Sequence, residues 1–191
     1  YTNINKALYY LALAANQNNC ESQFTLGFIY SQNTIVSRDI NKSIKYFTLA
    51  ANQKHCLAQF YLGMNYAKED NSTTDHEKAI YYLTLSAEQN YSEAQFVLGK
   101  NYSQGTITAL DANKAIHYFT LAANQNHSEA QFSLGLIYIQ EKLVPIDIEK
   151  SIYYLSLAAN QNHSKAQECL GSIYTLGKYL PRDMEKGIHF F

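Results

Sequence analysis

Apolar residues along this chain return every three or four positions, the spacing that lines one face of a helix. From Asn3 to about Gln17 they are Ile4, Leu8, Leu11, Leu13, Ala14 and Ala15. The same face returns at Ile40–Gln53, His76–Gln89, Ala112–Gln125 and Ile148–Gln161, and starts again at Met184. Between these stretches lies a second predicted helix with a tighter signature, Ala-Gln-Phe-x-Leu-Gly-x-x-Tyr. It begins at Ser22 in its first copy and at Ala58, Ala94, Ala130 and Ala166 afterwards. Its glycines, Gly27, Gly63, Gly99, Gly135 and Gly171, fall at a strict step of 36 residues. A fixed period in that range marks stacked helical units, each too small to bury its own apolar face.

The polar positions punctuate the same period. Asp39, Asp75, Asp111, Asp147 and Asp183 each precede a copy of the longer helix and are expected to be N-caps, with Asn3 in that place in the first copy. Asn18, Asn90, Asn126 and Asn162 stand where that helix should end, and Asn tolerates the left-handed conformation found there. Lys54 takes this place in the second copy and predicts the most strained turn. The motif glycine lies in a helix interior, at a cost of about 1 kcal/mol against Ala. Its recurrence predicts a close approach, for which the Ala-Ala pair of the neighbouring helix is the expected intruder. Four loops carry apolar residues expected to tuck inward: Ile35/Val36, Ile107, Leu143/Val144 and Tyr179/Leu180. The all-polar Glu69–Thr74 is expected to be the most mobile loop.

Composition narrows the chemistry. Formal net charge is −1, so nothing draws the chain as a whole to nucleic acid or to an anionic membrane surface. No apolar run approaches the ~20 residues that cross a bilayer, and no direct membrane contact is expected. With 17 Tyr, 9 Phe and no Trp, the core should be rich in phenyl and phenol rings. Cys20 and Cys56 share a register and should lie one repeat, roughly 8–10 Å, apart, too far for a disulfide. Cys169 has no partner in register. His55, His127 and His163 share a turn position, where a histidine would cap carbonyls or face solvent. A repeat apart, they cannot converge on one metal ion. No catalytic, cofactor or metal set recurs in a register that would bring it together, so neither an enzyme nor a cofactor is expected. The chain runs from Tyr1 to Phe191, where it stops inside a helical pattern, as a piece of a larger protein would.

The Ala-x-x-x-Leu-Gly-x-x-Tyr helix, followed by an Asp-x-x-Lys-Ala helix closing on Ala-Ala, resembles Sel1-like repeats, relatives of the tetratricopeptide repeat. Lys6, Lys42, Lys78, Lys114, Lys150 and Lys186 all keep the register. The resemblance implies an all-α, right-handed α-α superhelix of antiparallel helix pairs, with about five 36-residue repeats. The expected divisions are a partial repeat at 1–20, repeats at 21–56, 57–92, 93–128 and 129–164, and a truncated one at 165–191, all in a single array. Each lysine opposes the dipole of its own helix, and pairing with the preceding aspartate would offset this.

In such arrays the first helices line a concave surface, which the resemblance places at Phe24, Phe60, Phe96 and Phe132. These rings would either grip a peptide or fill the core between repeats. The ladder breaks at Glu168, and the adjacent column reads Phe28, Met64, Lys100, Leu136 and Ser172. A purely structural column should not tolerate Lys100, so this column is expected to face solvent and read a partner. Relatives that clamp a C-terminal carboxylate use Lys and Asn here. The matching places hold Phe24, Thr25 and Phe28, then Phe60, Tyr61 and Met64, which argues against that chemistry. The expectation is a protein-interaction scaffold, adaptor or regulatory arm binding a protein or peptide. The alternative is a structural spacer that self-associates through uncapped ends. The compartment stays open, the cytoplasm being the favoured expectation.

Overall fold

The computed structural model describes residues 2–67 and 73–176, together with Pro181, Asp183, Glu185 and Gly187. Within them run α1 (Thr2–Asn16), α2 (Cys20–Ser31), α3 (Ile40–Asn52), α4 (Cys56–Tyr66), α5 (Thr73–Glu88), α6 (Ser92–Gln104), α7 (Ala112–Ala123), α8 (Ser128–Ile139), α9 (Ile148–Ala159) and α10 (Ser164–Leu176). The chain divides into two compact units, Tyr1–Ala94 and Gln95–Phe191. Each unit is a stack of antiparallel helix pairs with a core of its own. In the first, Phe47, Ala50, Ala51, Ala58 and Leu62 form a buried cluster. In the second, one cluster gathers on Phe119 and Leu134 and another on Leu155 and Leu170.

The turn that reverses the chain from one repeat into the next is the same device used five times. Asn18, Lys54, Asn90, Asn126 and Asn162 all sit at φ between 62° and 66°. The next residue's amide then reaches back five positions, as in Asn19 N to Ala14 O at 3.0 Å and His127 N to Ala122 O at 3.2 Å. This is a Schellman closure, which satisfies the last carbonyls of the longer helix. Lys54 adopts it at φ 63° with a Cβ and no amide side chain to compensate, as its position predicted.

The longer helices start as expected in three cases. Asp39, Asp111 and Asp147 accept the amides of Lys42, Lys114 and Lys150, each at 3.0 Å. Two expectations need correction: Asn3 lies inside α1, and Asp75 lies inside the first turn of α5. Asp75 still holds Lys78 at 3.3 Å. The lysines are offset as proposed, for Lys42 and Lys150 stand 3.3 and 2.9 Å from Asp39 and Asp147. Each lysine also lies over the ring of the motif tyrosine. Lys42 is 5.0 Å from the Tyr30 centroid and Lys150 5.2 Å from that of Tyr138, a cation–π contact that adds to the ion pair.

The bond from the Lys150 amide, followed by that from its side chain, holds the Asp147 carboxyl below its usual range. A lowered folded-state value stabilises the fold above the unfolded-state pKa, and the gain is lost as pH falls through the folded value. Asp147→Asn keeps a cap while removing the charge. It should flatten the acid limb of a plot of melting temperature against pH and leave helicity at pH 7 unchanged. An acid limb identical to wild type would show that Asp147 does not contribute to it.

The motif glycines admit a side chain, not the Ala-Ala pair. A Cβ on Gly27 would meet Phe47 Cδ1 at 2.6 Å, and one on Gly99 would meet Phe119 Cδ1 at 2.7 Å. Leu83 and Leu155 take this place opposite Gly63 and Gly135. The alanine pairs are buried one turn further on, where they let the helices close up. The loops return to a common point, because the amides of Asp39, Asp111, Asp147 and Asp183 bond to the carbonyls of Tyr30, Tyr102, Tyr138 and Tyr174. Leu143 and Val144 pack onto the core as expected, and Val36 and Ile107 are half-buried. Ile35 is exposed, contrary to expectation. Tyr179, Leu180 and most of the polar 69–74 loop lie outside the described residues, and Thr73 and Thr74 open α5.

Candidate functional site

The shorter helices, α2, α4, α6, α8 and α10, carry all ten candidate residues, and their two columns separate cleanly. Phe60 is buried, while Phe24, Phe96 and Phe132 are half-buried. These rings meet the turn that leads into the next repeat. Phe24 stacks on His55 at 4.6 Å between centroids, Phe96 on His127 at 4.7 Å and Phe132 on His163 at 4.6 Å. Phe60 meets Tyr91 edge-on at 5.2 Å. Of the two readings left open for the phenylalanines, filling the joint between repeats is the one this geometry supports.

The histidines neither cap carbonyls nor face solvent. The Nδ1 atoms of His55, His127 and His163 accept the amides of Ala58, Ala130 and Ala166, each at 3.2 Å. They are therefore N-caps of the shorter helices, a task Asn19 performs with its Oδ1 at 2.8 Å from Ser22 N. Accepting at Nδ1 requires the tautomer with its proton on Nε2. In His55 that nitrogen lies 3.3 Å from Glu21 Oε1. His163 Nε2 is 3.1 Å from Glu129 Oε1 but is not aligned for a hydrogen bond, so that pair is electrostatic only.

A second feature of the joints escaped the sequence reading. Gln23, Gln59, Gln95 and Gln131 are buried in four successive joints, and Gln167 is half-buried in the fifth. Gln131 Nε2 donates to Ala123 O at 3.1 Å, and its Oε1 accepts from Gln161 Nε2 at 2.7 Å. Gln23 and Gln59 repeat the pattern with Ala15 and Gln53, and with Ala51 and Gln89. A buried amide is tolerated when both its ends are bonded, and these are. The available signal was a glutamine inside a core motif with a second glutamine 30 residues later.

The neighbouring column has a different environment. Phe28 is 37% and Met64 40% exposed, and Lys100 is exposed with them. Leu136 and Ser172 are half-buried. In the second unit they line one cavity of about 460 Å³ with Phe132 and Glu168, so four of the ten residues come together there. Cys169 also lines it. Burial, and then the Glu168 carboxylate, push its thiol above the usual range, which keeps it protonated and a poor nucleophile. Burial does the same at Cys20. All three cysteines are free. Among the described residues, no group of His, Cys, Asp or Glu is arranged to hold a metal ion, and no helix is long and apolar enough to cross a membrane.

Helix pairs on a 36-residue step, joined by repeated turns and stacked through small-residue contacts, define an α-solenoid repeat protein. The chain belongs to the Sel1 repeat family, whose repeat model matches residues 2–19, 20–55, 56–91, 92–127, 128–163 and 164–191. Proteins of this family generally serve as protein-interaction scaffolds and are generally non-catalytic. The chain is similar in structure to c5321, a protective antigen of uropathogenic Escherichia coli strains displaying an SLR fold. The TM-score is 0.87 at 26% identity, covering 96% of this chain and 39% of that one. A Sel1 repeat protein from Oxalobacter formigenes matches with a TM-score of 0.78 at 29% identity, covering 97% and 54%. The chain thus spans about two fifths and about half of these two relatives. An immunity protein from Pseudomonas aeruginosa, Pa5087, shares the fold at 16% identity, with a TM-score of 0.53 and coverage of 97% and 71%. No curated protein matches the chain in sequence.

Proposed function

We propose that this chain is a protein-interaction scaffold whose shorter helices present one column position to a peptide or a partner domain, through Phe28 and Met64 in the first unit and through Lys100, Leu136 and Ser172 in the second. One observation carries this reading: the large apolar side chains of Phe28 and Met64 stand exposed in the same register of successive α2 and α4. Phe28 is not loose in solvent, for it meets Tyr61 edge-on at 5.6 Å and is held in place to be read. A preorganised surface of this kind binds with little ordering cost on the scaffold's side.

Charge at Lys100 then sets preference within the second unit. Selection of random displayed peptides on the immobilised chain should return binders that carry apolar residues. Lys100→Glu or Phe28→Ala should weaken their affinity by about tenfold, the effect of losing one anchor, with helicity unchanged by circular dichroism. If selection enriches no peptide, the structural-spacer reading replaces this one.

A further inference from the structure

The joint between α2 and α4 is filled by rings. Tyr61 of α4 lies 6.1 Å from Phe24, 5.6 Å from Phe28 and 5.6 Å from Phe47, and Phe60 meets Tyr61 edge-on at 5.4 Å. Helix α10 stands to α8 as α4 stands to α2. In the register of Phe60, Tyr61 and Met64, however, it offers Glu168, Cys169 and Ser172. The wall facing it has not shrunk to match, since Phe132 and Leu136 keep the register of Phe24 and Phe28 as large apolar side chains. The missing volume is the cavity of about 460 Å³, floored by Phe132, Leu136, Ile139 and Ile173. Its size is in the range of pockets that bury a small ligand or a side chain with its neighbours.

The rim is charged. Lys165 and Glu168 both line the cavity, and neither side chain has an ion pair or a hydrogen bond among the described residues. Lys165 also reverses the sign of its register, which holds Glu21, Glu93 and Glu129 in other repeats. Glu21 and Glu129 face the histidine of the following turn. An apolar floor with a cation and an anion one helical turn apart on its rim is complementary to a segment carrying a bulky apolar residue between opposite charges.

Resting on the scaffold reading above, we infer that this cavity is a docking pocket for a partner peptide that supplies the ring α10 lacks. Its anchor is an aromatic side chain seated on Phe132 and Leu136, flanked by an acidic residue on Lys165 and a basic one on Glu168. The anchor takes the place that Tyr61 fills in the α2–α4 joint, where edge-to-face and offset contacts between rings already stabilise the packing.

The test uses the full chain and labelled synthetic peptides with Asp-Phe-Lys or Lys-Phe-Asp at their centre, each paired with its Phe→Ala counterpart. Fluorescence anisotropy should show one of the two orders binding about tenfold tighter than its alanine counterpart, the effect of a seated anchor. Lys165→Glu should weaken that peptide about threefold, an effect that fades in high salt. Cys169→Tyr/Ser172→Met, which restores the α4 side chains, should abolish the difference between the Phe and Ala peptides without lowering the melting temperature. Phe peptides that bind no better than Ala peptides on the unaltered chain overturn the pocket, and this comparison needs no variant to fold. Equal binding by the refilled variant also overturns it. Either result leaves the scaffold reading standing so long as displayed peptides bind the chain and lose affinity with Lys100→Glu.

Discussion

Gly99→Val should destabilise the second unit by about 3 kcal/mol, the upper end of what overpacking a core costs, and lower its melting temperature by about 15 °C. Helix propensity alone predicts the opposite sign. Valine is a better helix former than glycine by a few tenths of a kcal/mol, so an uncrowded Gly99 would gain from the change. The collision decides the outcome. A Cβ at Gly99 would already lie 2.7 Å from Phe119 Cδ1 and 2.9 Å from Cε1, and valine adds two methyl groups beyond it. Phe119 is almost fully buried and cannot swing away into solvent. Measured in a Phe119→Ala background, the same substitution should lose most of its cost, because that pair of residues is the source of the coupling. An unchanged or raised melting temperature for Gly99→Val would overturn the close-packing account.

That contact also marks where the sequence was informative and where it was not. The step of 36, the Asp caps, the Asn turns and the exposed column at Phe28 and Met64 were all legible, because each depends on residue type at a fixed spacing along the chain. The presence of something close to Gly99 was legible for the same reason. Its identity was not, since it turns on which way Phe119 points across the joint, and no spacing rule carries that. The His127 cap was missed because histidine seldom caps helices, and the ring's stack on Phe96, which sets Nδ1 toward the α8 amide, is a contact across the joint. The cavity at Phe132 is intermediate. Glu168 and Ser172 stood out as breaks in their columns, but a break shows as a void only when the wall opposite keeps its bulk.

The buried glutamines offer a sharper test than any surface residue, because one atom changes and its effect has a definite sign with pH. Gln131→Glu should cost about 3 kcal/mol at pH 7, the order expected for a buried charge left without its full set of partners. One carboxylate oxygen can still accept from Gln161 Nε2, now 2.7 Å from Gln131 Oε1. The other replaces a donor and would face Ala123 O, which stands 3.1 Å from Gln131 Nε2. Two oxygens at that separation repel, and residue 131 is 1% exposed, so water cannot intervene. The positive end of the α8 dipole favours an anion in this turn, but by only about 0.3–1 kcal/mol, and does not reverse the balance. A carboxylic acid, by contrast, can donate to Ala123 O much as the amide does, so burial raises the folded-state pKa of the new group above its unfolded value near 4.3. For an acid shifted upward the cost is absent below the unfolded pKa, grows as pH rises from there, and levels off above the folded pKa. Urea midpoints for the variant should therefore approach those of the wild type near pH 4 and fall well below them at pH 7. A deficit of equal size at both pH values would mean that lost shape, not lost proton donation, is what the glutamine ladder protects.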